Sequence, residues 1–154
     1  MVTYILTKEL AQKALAMIRP SIEAILGTEL VGGRKDFYIA VFDLGTDDIL
    51  ADDVYGDRPR WEYPYDKIAG SKGTIATRTG LTTRDVQVNA PWLYQKSDTR
   101  YVGSVTEHGL VVAGSGLANH WDETIGWWVL SAIQGLCREF IAKIDDDTAP
   151  DFFE

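Results

Sequence analysis

The chain holds one cysteine, Cys137, and two histidines, His108 and His120, in 154 residues. A single thiol excludes an internal disulfide framework. No His-x-x-x-His or Cys-x-x-Cys spacing is present, so a dedicated zinc site is not expected. Apolar runs are short, and none approaches the roughly 18 residues that span a bilayer. The opening residues MVTYILTKEL lack the basic-then-apolar pattern of a secretory leader, which points to a cytosolic setting. Basic residues are outnumbered, 15 Lys and Arg against 23 Asp and Glu, for a net charge of −8. That field repels phosphate backbones and anionic membrane surfaces, so neither nucleic acid nor a membrane is an expected partner.

What is there suits one globular domain over residues 1–154. The hydrophobic share of 45% and charged share of 25% are ordinary for such a domain, and the length is short for two. From Thr7 to Leu26, Leu10, Ala14, Met17, Ile18, Ile22 and Ile25 recur at helical spacing behind a Thr7 N-cap, and Pro20 should kink or divide this helix. Phe37 to Asp43 reads as a central strand, and Ile49 to Tyr55 as its hairpin partner. Gly56 to Pro64 carries two prolines and reads as an irregular loop.

Tyr65 to Thr79 reads as a second helix whose small residues Ala69, Gly73, Ala76 and Gly80 form a stripe suited to close packing. Thr82 to Ala90 is polar, ends at Pro91 and reads as a connection. Strands at Tyr101 to Thr106 and Leu110 to Ala113 flank a turn at Glu107-His108-Gly109, and a last helix runs from about Trp121 to Ile144. Its core stripe is Ile125, Val129, Ala132, Ile133, Leu136, Phe140 and Ile144. Asp145-Asp146-Asp147 opposes the helix dipole and should fray that end, leaving 145–154 as a tail that is mobile unless Phe152 and Phe153 dock. Adjacent strands joined by tight turns make antiparallel pairs, so the expected class is α+β, an antiparallel sheet flanked by helices.

Four segments carry a resemblance to a known family. IAVFDLGTDDILADD at Ile39–Asp53, AGSKGTIATRTGLTT at Ala69–Thr83 and EHGLVVAGSGLANHWDE at Glu107–Glu123 are similar to motifs of the GlcG/HbpS-like ("haem-degrading" domain) proteins, and LTKELAQKAL at Leu6–Leu15 is similar to their opening helix. The resemblance implies a profilin-like fold, assembly into a homo-oligomer, and binding of haem or a small organic acid. It places the family's lysine on Lys72.

Several residue types offer chemistry. His108 and His120 are the imidazoles available to haem iron or another metal. A turn position for His108 and a helix cap for His120 are their plain structural alternatives. Gly114-Ser115-Gly116 could cradle a carboxylate through backbone N–H groups and the Ser115 hydroxyl, or could simply relieve strain at a turn. Lys72 and Arg78 are candidates for pairing with an anionic ligand. Asp122 and Glu123 either stabilise the start of the last helix or, with His120, supply acid/base catalysis. Trp121 is a flat contact for a ligand, and the Trp127-Trp128 pair suits a subunit interface. Two functions remain open on these residues: a binding protein for haem or a small carboxylate, and an enzyme acting on a small oxygenated or aromatic acid.

Overall fold

A computed structural model describes residues 3–144 and 147–153 of the chain. Four strands form one antiparallel sheet in the order β2-β1-β4-β3, with β1 at Phe37–Phe42, β2 at Ile49–Tyr55, β3 at Ser104–Glu107 and β4 at Leu110–Ser115. Helices α1 (Lys8–Ile25) and α4 (Asn119–Ala142) pack against each other and one side of the sheet. Helix α2 (Tyr65–Thr79) covers the other side, with α3 (Thr83–Asn89) beside it. The α+β expectation therefore holds, with helices on both faces of the sheet.

Strand β1 has no polar residue because it is covered on both faces. Phe37, Ile39 and Val41 enter the core under α1 and α4, while Tyr38, Ala40 and Phe42 enter the core under α2. The second core is built from small residues. Ala40 and Ala113 of the sheet meet Ala69 and Ala76 of α2, all buried. At Gly73 an added Cβ would fall among the ring carbons of Phe42. Ala69, Gly73 and Ala76 of the stripe read from the sequence form the contact that lets α2 lie this close to the sheet, while Gly80, its fourth member, is exposed. Gly80 ends α2 in a left-handed conformation, its N–H donating to the Ala76 carbonyl.

Three expectations need correction. Of the two outcomes expected at Pro20, a division does not occur, because α1 runs from Lys8 to Ile25 as one helix. Ala14, Leu15 and Ile22 on both sides of the proline share one buried face, while Pro20 and Ala16, whose carbonyl loses its helical donor, are exposed to water. Met17, one of the apolar positions at helical spacing, is exposed. The segment after Thr82 is a helix, α3, and not a connection. The Thr82 hydroxyl caps it by accepting from the Asp85 N–H, and Val86 anchors it in the interior. With so few apolar residues in that segment, periodicity could not reveal it.

The β3–β4 turn uses His108 and Gly109, both left-handed, as a two-residue hairpin of this twist requires. In the last helix Ile125, Val129 and Ile133 of the stripe are buried and Ala132 and Leu136 half-buried, but Phe140 near its end is exposed. Asp145 and Asp146, expected to fray that end, lie outside the described residues, as does Glu154. Within the tail, Phe153 stacks on Tyr4 with ring centroids 5.0 Å apart.

Gly73→Ala adds a methyl group where Phe42 already sits, and overpacking of this kind costs about 1–3 kcal/mol. This should outweigh the gain of roughly 1 kcal/mol in helix propensity. Chemical denaturation of the Gly73→Ala chain should show a lower midpoint with an unchanged m-value.

Candidate functional site: a cleft at the start of the last helix

At one end of the sheet, β4 leaves the ladder at Ser115, turns through Gly116 and enters α4. Gly116 has φ of 134°, and a Cβ there would lie 2.5 Å from the Asp36 carbonyl oxygen, so the turn needs glycine for both conformation and space. A cleft of about 350 Å³ opens here, at the small end of the roughly 300–1,000 Å³ range of ligand sites. Its walls come from the Arg34–Asp36 segment, the loop before α2, α2 itself and the first turn of α4.

The floor is a buried ion pair. Lys72 Nζ donates to the Asp122 carboxylate at 3.1 Å and to the Gly114 carbonyl at 2.8 Å, and both side chains are almost fully buried. The other Asp122 oxygen accepts the Leu117 N–H at 3.0 Å. Burial pulls the Lys72 ammonium below the usual lysine range, against the attraction of Asp122. Burial likewise pushes the Asp122 carboxyl up to about 6, against the pull of Lys72 and the Leu117 N–H. Both directions say that taking this pair out of water is costly. Gly103 makes room for it: a Cβ there would lie 2.7 Å from Lys72 Nζ and 2.9 Å from the Gly114 carbonyl oxygen.

Above the floor, Ser115 is 4% exposed and lines the cleft, and its hydroxyl has no hydrogen-bond partner among the described residues. Helix α4 begins beside it without a capping side chain, because Ala118 occupies the N-cap. The amides of Asn119 and His120, at its first two positions, have no acceptor inside the helix. Arg34 reaches over from the opposite wall, donating from Nη1 to the Gly116 carbonyl at 3.3 Å. Unused hydroxyl, helix N-terminus and guanidinium bring together donors whose chemistry suits an anion.

The residues singled out from sequence divide into two groups. Lys72, Gly114, Ser115, Gly116 and Asp122 meet at this cleft, although Gly114 acts through its carbonyl and not as an N–H donor. Trp121 lies at the same helix start but turns away, its indole N–H donating to the Leu30 carbonyl at 3.1 Å. His120 is exposed on the first turn of α4, neither capping it nor lining the cleft. Glu123 faces α3, where both its oxygens bind Arg84, at 2.9 and 2.8 Å. Arg78 is committed to both oxygens of Asp98 and to the Leu93 carbonyl. His108 sits in the hairpin turn with its side chain 89% exposed. It is at the far end of β4 from His120, about 17–20 Å of strand away, so the two imidazoles of one chain do not share a site.

Sequence reasoning missed Arg34, Asp36 and the tyrosines Tyr63, Tyr65 and Tyr101, all of which line the cleft. The Gly32-Gly33-Arg34-Lys35-Asp36 run was readable as a charged loop ahead of the first strand. Nothing in the sequence said that it faces α4.

No family model matches this chain, and no curated protein does. Among solved structures it is similar to the protein ORFY of Klebsiella pneumoniae, of the family DUF336, with a TM-score of 0.57 at 14% identity, covering 87% of this chain and 94% of that one. It is also similar to a double mutant of HbpS from Streptomyces reticuli, with a TM-score of 0.56 at 22% identity, covering 85% and 88% of the two chains. This chain has their fold. The GlcG/HbpS resemblance read from short motifs thus reappears in the three-dimensional arrangement.

Two outcomes follow from the ion pair. Lys72→Ala leaves the Asp122 carboxylate buried without its counter-charge and should cost about 3–5 kcal/mol in unfolding free energy. The Lys72→Met/Asp122→Leu double variant should lose clearly less than the sum of the two single changes. The pair also sets a pH dependence. Because the folded Asp122 carboxyl is raised above its unfolded value, the folded state holds that proton longer, and stability falls as pH rises from about 4 to about 6. Denaturation curves of the natural chain, compared with the double variant, should show this decline.

Proposed function

We propose that this protein binds a small carboxylic acid in the cleft at the start of α4. The observation that carries the reading is the Ser115 hydroxyl, which belongs to a residue only 4% exposed, lines the cleft beside uncapped amides of α4 and has no partner among the described residues. Arg34, with Lys35 also on the wall, supplies positive charge at this corner of a molecule of net −8. Lys72 is not the direct ligand that the family resemblance suggested. Its ammonium is held by Asp122 and Gly114, and its role is to fix the turn whose upper face meets the ligand. A homo-oligomer is part of this reading, with the partly exposed Trp127 on α4 as the contact it would use.

Haem fits the cleft poorly. Neither histidine lines it, and the phenol of Tyr65, which does, is pushed up by burial, away from the tyrosinate form that would ligate iron.

A second reading, turnover of the bound acid, has one observation behind it. Asp122 lines the cleft with its carboxyl raised to about 6, where a group can both give and take a proton near neutral pH. Against this, each of its oxygens already has a partner. His120 and Glu123, its expected companions, do not line the cleft.

Calorimetric titration with short-chain and aromatic carboxylates tests the proposal. Ser115→Ala and Arg34→Ala should each weaken binding by roughly 10-fold or more, the loss of a hydrogen bond to a charged group. Binding unaffected by both changes would sink the reading. A Soret band on haem titration that disappears in His120→Ala would instead place haem at the exposed helix start, outside the cleft.

A further inference from the structure

We infer that the acid bound in this cleft is an aromatic carboxylate carrying a hydroxyl or amino donor on its ring; this rests on the proposed carboxylate site and specifies the rest of the ligand. The corner formed by Ser115, the α4 amides and Arg34 accounts for one end of a ligand only. Besides Lys35, Ile68, Leu117 and Asn119, the remaining lining is of two kinds. Tyr63, Tyr65 and Tyr101 present aromatic surface, and Tyr63 and Tyr101 are exposed by 56% and 44%, although both belong to the wall of a concave site. Tyr65 is steadied from behind by Trp61, edge-on at 5.4 Å, and from the side by Tyr63 at 6.3 Å. Aromatic faces held in place but left uncovered favour a flat, apolar body between them.

The second kind is acidic. Asp36 and Glu62 line the same cleft, and neither carboxylate has a hydrogen-bond or ion-pair partner among the described residues. Both act electrostatically on the Tyr65 phenol, as does Arg34, so charges of both signs gather around that ring. Two unpartnered carboxylates would repel a plain dicarboxylate. They would accept a hydrogen bond from a ring hydroxyl or amine. A site with an anion-binding corner, aromatic walls and bare acceptors matches a molecule with a carboxylate, a flat ring and a donor. Its volume of about 350 Å³ suits a single ring.

Titration of the full-length chain with 4-hydroxybenzoate, benzoate and cyclohexanecarboxylate reads the inference, since all three share the carboxylate. Benzoate should bind about 3- to 10-fold more tightly than cyclohexanecarboxylate, the contribution of an aromatic pair. 4-Hydroxybenzoate should bind more tightly than benzoate, and the Asp36→Asn/Glu62→Gln variant should lose that second increment while keeping the first. Tyr63→Leu and Tyr101→Leu, at exposed positions that leave the core intact, should erase the preference for a flat ring and still bind cyclohexanecarboxylate. Equal affinity for the three acids overturns this inference and leaves the carboxylate site standing. No binding of any of them overturns both.

Discussion

The buried Lys72–Asp122 pair is the constraint on which this end of the molecule depends. It joins α2 to the first turn of α4 across the end of β4, and through the Gly114 carbonyl it reaches the sheet itself. Each partner is expensive to bury, and each is made tolerable by the other and by a backbone group. The arrangement therefore has little freedom. Asp122 must hold the Leu117 N–H, the turn at Gly116 must follow, and Ser115 is left facing the cleft.

Close packing on the far side of the sheet supports the same geometry. Lys72 can reach Gly114 because α2 lies against β1 and β4 with Ala69, Gly73 and Ala76 at the contact. Larger residues on that face would lift α2 and withdraw the ammonium from its partners. Gly103 serves the same end from β3's side by leaving room next to Nζ. Thr83 completes the support. Its hydroxyl accepts the N–H groups of Gly103 and Ser104, tying the start of α3 to the strand that borders the pair. The interactions that hold the fold together and those that shape the cleft are here largely the same.

Some of this was legible in the residues alone. The apolar run of β1, the β1–β2 pair and the α2 boundaries follow from patterns a few residues long, because each element satisfies its own backbone and shows its own period. The Gly114-Ser115-Gly116 turn was legible as a candidate cradle, since a glycine-rich turn before a helix exposes amides wherever it occurs. Helix α3 was not legible, because one cap and one anchoring valine decide it. The site was only half legible. Lys72 and Asp122 were each singled out, but as a ligand contact and as a helix-start or catalytic group, and not as partners of one another. Only a short run of residues separates His108 from His120, the two imidazoles read as available to a metal. Those residues are an extended strand, which carries the two histidines to opposite ends of the sheet.

By itself the sequence determined the four strands, helices α1, α2 and α4, the α+β class and the small-residue stripe that seats α2, all of which rest on local spacing and side-chain size. The tertiary structure alone decided which charges are buried and which are spent. It paired Lys72 with Asp122 across 50 positions, committed Arg78 to Asp98, and brought Arg34 beside the Gly116 turn from 82 positions away. Partners at such separations are chosen by how layers stack on a sheet and by what burial will tolerate. No local pattern encodes that choice.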